Sequence, residues 1–285
     1  MTGSAIQFPL MRIARLLTLL LLLPTPLLAW GAKGHSVIAE IAERGLSPAV
    51  AAQVRELTFA APLRDLASEP DDWRGQEVRK ERPGDTGPLH YSNIPNDQAT
   101  FDRARDCKQD QCVVAAIERY TAVLKDRTQS KDKRREALIY VVHFIGDLHQ
   151  PMHSAGGMVK NIETGVMEPD LGGNKVKVRY LGVETNLHSV WDSMLIEWGP
   201  STVEEYATML LDREMRGRPV DELQRGTIVD WFNESHYAAV HDSYAIGNGN
   251  LGAAYAQHNI GIIYERLLRG GLRLRKVLED ALGGP

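Results

Sequence analysis

The chain has 285 residues, 43% of them hydrophobic and 25% charged, the proportions of an ordinary globular protein with enough apolar material for one sizeable core. Its 33 basic and 37 acidic residues leave a formal net charge of −4 and no evident basic stripe. That excludes broad electrostatic capture of a polyanion, so action on one would need positive charge from bound metal or from a few local Arg and Lys residues.

The opening segment "MRIARLLTLLLLLPTPLLA" starts basic at Arg12 and Arg15, runs apolar from Leu16 to Leu23 and ends on small Ala29. It is too short for a membrane span and reads as a secretory signal over 1–29, with an N-terminal anchor as the other reading and Met11 as a second candidate start. Cleavage after Ala29 would give a secreted or periplasmic protein, free of the membrane, that begins at Trp30. The amino group of Trp30 could then bind metal when neutral. Removing the two arginines leaves 31 basic against 37 acidic residues, or −6.

Apolar residues at three- and four-residue spacing predict helices over 35–45, 48–59, 111–127, 131–149, 187–197, 201–213, 219–242 and 253–281. The last contains Gly270-Gly271, where a break or kink is expected. Between 60 and 110 the chain is rich in Pro, Gly, Asp and Ser and reads mainly as loop, the usual place for site residues. Within it "DCKQDQC" holds Cys107 and Cys112, which in an exported protein read as a small disulfide; a metal site is the rival, but no further cysteines exist to complete one. "NKVKVRYLGVET" alternates with period two and predicts one short hairpin. With no repeat and no linker, the fold class is all-α: a single multi-helix domain over 30–285 with minor β structure.

The stretch "HFIGDLHQPMH" puts His143 and Asp147 one turn apart on a helix that should be burying an apolar face, with His153 just past the Pro151 stop. "NLHSVWD" repeats the arrangement in His188 and Asp192. Upstream lie Trp30 and His35 in "WGAKGH", Asp71 or Asp72 in "PDDWR", and His90 in "PLHYSNIP". A lone histidine on an apolar face is usually a hydrogen-bonded core residue. Two repeated His/Asp pairs favour metal ligation, and imidazole mixed with carboxylate and no sulfur favours zinc. These nine groups exceed one ion's needs and suit a cluster with a bridging carboxylate. His149 falls on another face and reads as a supporting residue, while His236, His241 and His258 read as surface or core.

These motifs, in order an N-terminal Trp with "GxxGH", "HYxNIP", "HFxGDxHQPxH", "GGN" and "NLHxxWD", resemble the secreted zinc-dependent single-strand nucleases of the S-one/P-one type, from Trp30 onward. The resemblance implies a helical fold with three Zn2+ in a cleft. One ion would be held by Asp71, His90, His143 and Asp147, a second by His153, His188 and Asp192, and a third by the Trp30 amino nitrogen and carbonyl, His35 and Asp147, which would bridge. The chain departs from the family at "SEPDDWRG", where Glu69 stands at the usual Trp position. The family's arginine three residues past its aspartate favours Asp71 over Asp72, with Arg74 as the phosphate contact.

The resemblance further implies that Tyr91 stacks on a nucleobase and Asn93 bonds its edge, although a core role for Tyr91 is the alternative. Asn174 in "DLGGN" reads as a phosphate-side contact beside two glycines that allow close backbone approach. Because zinc lowers the pKa of bound water toward ~7, hydroxide is the expected nucleophile, Arg74, Asp71 and Asp147 the catalytic residues, and 5′-phosphates the products. The expected substrates are single-stranded DNA and RNA and nucleotides, acted on by a monomer, with 3′-nucleotidase activity left open. Zinc-dependent phospholipase C, which shares the ligand set, is the rival enzyme, and a non-catalytic zinc-binding protein the rival class.

Overall fold

In the computed structural model, residues 30–81 and 83–284 are described; the leader read over 1–29 lies outside the described residues. The helices are α1 (Ala32–Arg44), α2 (Pro48–Leu57), α3 (Leu63–Leu66), α4 (Glu69–Val78), α5 (Arg103–Asp106), α6 (Val113–Lys125), α7 (Lys131–His149), α8 (Leu187–Ser189), α9 (Val203–Met209), α10 (Val220–Leu223), α11 (Ile228–Ala238) and α12 (Ala253–Leu282). Local chemistry sets several ends. Ser47 and Ser130 cap α2 and α7 by accepting from Val50 N and Lys133 N, and Thr227 with Asp230 forms a capping box on α11.

From Ala137 to His149 every residue of α7 is buried, so this half of the helix is the middle of the molecule rather than one of its faces. α1, α6, α11 and α12 pack around it. α12 runs without a break through Gly270-Gly271, contrary to the expected kink. A Cβ on Gly271 would lie 2.5 Å from Ile41 Cβ, so the glycine pair lets α1 cross α12 at close range rather than bending it.

Other boundaries differ for identifiable reasons. The helix expected over 219–242 is split at Gly226 (φ +99°), after which Thr227 starts α11. The 60–110 stretch, read mainly as loop, also contains α3, α4 and α5; α4 has an acidic first turn and little apolar content, so it lacks the stripe that marks a helix. α8 continues into a π turn at Val190–Met194.

The hairpin lies where alternation placed it: β5 (Lys177–Tyr180) pairs antiparallel with β6 (Val183–Asn186) across Leu181-Gly182, both with positive φ as a tight two-residue hairpin turn requires. The other strands were not foreseen. β1 (Ile94–Pro95) pairs parallel with β2 (Ala155–Gly156), β3 (Met158–Lys160) pairs antiparallel with β4 (Met167–Pro169), and β7 (Asn250–Leu251) adds parallel to β5.

Behind the C-terminal end of α7, His149 bonds Ile145 O through Nδ1 and faces Arg273 through Nε2 at 3.2 Å. The fully buried Arg273 and the adjacent Arg266 both donate to Glu234 at 2.7 Å. Burial pushes the Glu234 carboxyl up, but the hydrogen bonds and charges of Arg273 and Arg266 outweigh it and hold it at about 2. Its folded pKa is therefore depressed, so its contribution is complete above the unfolded value of ~4.3 and is lost as pH falls toward 2. Glu234→Gln should cost about 2 kcal/mol at neutral pH, less than a fully enclosed pair because this side chain is 38% exposed. The Tm deficit in scanning calorimetry should narrow on acidification below pH ~4.

Candidate active site

Asp147, fully buried on α7, is surrounded by imidazoles from four parts of the chain. Its Oδ2 lies 3.0 Å from His90 Nδ1 and 3.2 Å from His143 Nε2, and its Oδ1 lies 3.5 Å from His35 Nε2 and 3.4 Å from His153 Nδ1. α1 brings His35, whose ring stacks on His143 with centroids 4.1 Å apart. α4 brings Asp71, with Oδ1 3.6 Å from His143 Nε2 and 3.7 Å from His90 Nδ1; Asp72 on the same turn is exposed. Burial thus singles out Asp71, the aspartate that the spacing to Arg74 favoured.

The second pair lies alongside. His188 Nε2 is 3.1 Å from Asp192 Oδ2, and the His188 ring stacks on His153 with centroids 5.1 Å apart. Among the described residues, three groups have candidate ligand atoms mutually within 4.8 Å: His35 with Asp71 and His143; His90 with His143 and Asp147; and His153 with His188 and Asp192. Trp30 is buried against the same centre. Its indole N–H donates to Gly146 O at 2.8 Å, and Gly31 N–H donates to Asp192 O at 2.7 Å, tying the start of the described chain to both pairs. A side chain at position 146 would strike His35 Nδ1 at 2.5 Å.

Backbone carbonyls orient the rings. Nδ1–H of His143 donates to Ala67 O at 2.8 Å, that of His188 to Gly172 O at 2.6 Å, and that of His153 to His90 O at 2.8 Å, which turns Nε2 of each toward the cluster. Gln150 is the main residue that sequence reasoning missed. Buried between the two histidines of "HQPMH", it donates from Nε2 to Asp192 Oδ1 and accepts Met152 N–H on Oε1, linking one carboxylate to the turn that carries His153. Its place inside a dense motif was the only signal available. His149 and His236 are buried on backbone carbonyls; His241 is stacked on Tyr237, and His258 is exposed 3.2 Å from Asp242.

Burial pushes His35, His90 and His153 down. It opposes charge on His143 and His188 too, but Asp147 and Asp71 raise His143 to about 9, and Asp192 raises His188. Burial raises Asp71, whereas His143 and His153 overcome it at Asp147 and hold that carboxyl well below the usual carboxylate range. Protons shared among these groups do not satisfy them. Both nitrogens of His35, both oxygens of Asp71, Nε2 of His90 and Oδ1 of Asp147 are buried without a hydrogen-bond partner. Orphaned polar atoms of this kind are costly, and a set of nitrogen and oxygen donors converging within ligand distance of one another fits divalent cations, zinc best.

The cluster opens onto a cleft of about 170 Å³ lined by Arg74, His90, Tyr91, Asn93, Asn174 and His188 among others. Tyr91 is 37% exposed and so is not a core ring. Asn174 Nδ2 donates to Leu171 O at 2.8 Å while its Oδ1 has no partner. Gly172 (φ +62°) allows the cleft wall to approach, since a Cβ there would lie 2.5 Å from Met152 O. Cys107 and Cys112 form a disulfide, as their spacing suggested.

Residues 30–283 match the S1/P1 Nuclease family. Endonuclease 4 of Arabidopsis thaliana is 31% identical over 293 residues, covering 88% of each chain. Nuclease P1 of Penicillium citrinum is 27% identical over 281 residues, 89% of this chain and 98% of its own, and Nuclease S1 of Aspergillus oryzae is 28% identical over 199 residues, 66% and 63%. Each of these relatives is named as a nuclease, and none lends support to the phospholipase C alternative. By a match over nearly the whole described chain, and with a buried His/Asp cluster at the floor of a cleft, this protein belongs to the S1/P1 nuclease family.

Proposed function

We propose that this nuclease is a zinc-dependent enzyme that hydrolyses single-stranded DNA and RNA to 5′-phosphate products, working outside the cytoplasm after loss of residues 1–29. The observation that carries the reading is the set of unpartnered buried donors around Asp147, directly below a cleft that also holds Arg74 and Tyr91. Among the described residues no helix is long and apolar enough to cross a membrane. Asp71, His90, His143 and Asp147 would hold one zinc, His153, His188 and Asp192 a second, and His35, Asp147 and the Trp30 amino group and carbonyl a third. Zinc bound there supplies a water acidified toward pKa ~7 and offsets phosphate charge.

The chain's own groups do the rest. Asp147 and Asp71 would help to hold the zinc and accept hydrogen bonds from the bound water, orienting its oxygen toward phosphorus; the water's proton leaves to solvent, and the departing 3′ oxygen takes one up from solvent as its bond to phosphorus breaks. Arg74, at the rim, offers a planar fork of N–H donors to the non-bridging phosphate oxygens as charge grows on them. Tyr91 gives a flat face to the base beside the cut, Asn93 a bond to its edge, and Asn174 a polar contact on the phosphate side. Stacking contributes ~1–3 kcal/mol per base and accepts any base, but the base must stand outside a duplex, which accounts for single-strand preference.

The direct test is hydrolysis of single-stranded DNA, duplex DNA, RNA and phosphatidylcholine by the mature protein, with and without chelator. Cleavage of the two single strands alone, abolished by chelator, is expected; activity on the lipid or in metal-free protein would overturn the reading. Tyr91→Ala should raise KM about tenfold with kcat little changed, and Arg74→Ala should lower kcat, because stacking serves ground and transition states alike whereas Arg74 meets charge that develops during reaction. Steady-state kinetics on one oligonucleotide separates the two.

An α-amino group has an unperturbed pKa of ~7.7–8.0 and becomes a neutral ligand at little cost, which an amide nitrogen cannot. A protein extended by one residue, beginning Met-Trp, should therefore bind one zinc fewer and lose most of its turnover. Equal zinc content and turnover in the extended and unextended proteins would remove Trp30 from the ligand set.

A further inference from the structure

The segment His90–Asn93 carries a ligand-cluster histidine and the proposed base platform, yet it lies outside the long helices and is held by hydrogen bonds on two sides. On the cluster side, His153 Nδ1–H donates to His90 O at 2.8 Å and Ser92 N–H donates to His153 O at 2.9 Å. On the far side, Val113 N–H donates to Tyr91 O at 3.2 Å and Ser92 Oγ–H donates to Asp106 O at 2.7 Å. Asp106 and Val113 are the residues immediately flanking the Cys107–Cys112 disulfide, whose two half-cystines are buried. Inside the closed loop Gln109 and Asp110 both hold φ at 56°, a conformation non-glycine residues adopt only under constraint.

We infer that the Cys107–Cys112 disulfide is a positioning device for substrate: it keeps Asp106 and Val113 at the separation that fixes the Tyr91–Ser92 backbone, and so sets where the Tyr91 ring stands in the cleft. This rests on the reading of Tyr91 as the base platform. The device acts on affinity for the base and not on the metal cluster, because the His90 end of the segment is held independently through His153.

Val113 is the first residue of α6 and follows an extended Cys112 (φ −159°, ψ 166°), a position where proline is tolerated. Val113→Pro therefore deletes the donor to Tyr91 O while leaving helix and disulfide in place, and a Cys107→Ser/Cys112→Ser double variant removes the cross-link itself. Each zinc-loaded variant, with Tyr91→Ala alongside, is assayed on a short single-stranded oligonucleotide and on the same strand made abasic. Both positioning variants should raise KM about three- to tenfold on the intact strand, keep kcat within about twofold, retain full zinc content, and behave as the unsubstituted enzyme on the abasic strand. If the double variant does not fold, reduction of the cross-link in the folded, zinc-loaded enzyme by a phosphine takes its place, and an unchanged KM after complete reduction overturns the inference. A Tyr91→Ala penalty with no KM change in Val113→Pro overturns this inference and leaves the platform standing. No penalty from Tyr91→Ala overturns the platform and the inference together, and a loss of zinc in Val113→Pro overturns the separation of disulfide from metal cluster.

Discussion

A carboxylate taken out of water must be given partners, and Asp147 is given four imidazoles but not enough protons to satisfy them. That one constraint organises the molecule. α7 is buried on every side along the half that carries His143 and Asp147, so it must run through the centre, and α1, α4 and the His90 segment are each placed where they can bring one more ligand to it. Without cations the arrangement is a store of unsatisfied polar atoms. With them the same atoms become the folding contacts of the core, which is why metal binding and stability should rise and fall together.

The support around the clustered side chains is as specific as the cluster. Three histidines spend one nitrogen on a backbone carbonyl so that the other faces inward, and Gln150 holds Asp192 while holding the turn of His153. The same economy extends outward through the segment from His90 to Asn93, which joins the metal floor to the cleft wall in four residues. In the proposed reading, base recognition and metal ligation are thereby built on one stretch of backbone, held by hydrogen bonds on two sides.

Much of the centre was legible in the sequence because helical periodicity converts spacing into geometry: His143 with Asp147, and His188 with Asp192, had to share a face. The second pair kept its closeness even though the helix there loosens into a π turn. The pattern of α4 does not tell Asp71 from Asp72, since the helix is too polar to show which face turns inward; only the spacing to Arg74 favoured Asp71, and burial agrees with it. Gly270-Gly271 read as a break because glycine weakens helices, but nothing in the sequence says that another helix will cross at that point. Gln150 had no spacing signature, and the carbonyls that fix the histidine rings are backbone atoms that no residue type announces. The disulfide was legible from its spacing and from the leader, although its contact with the Tyr91 segment was not.

In the proposed reading the donors around Asp147 form a three-ion centre. Native mass spectrometry of protein beginning at Trp30, purified without chelator and supplied with zinc, measures this most directly, read beside the same sample after chelation. Three zinc ions per chain, lost together with folding stability on chelation, are expected. One ion or none, or a chelated protein that keeps its full stability, would contradict the claim.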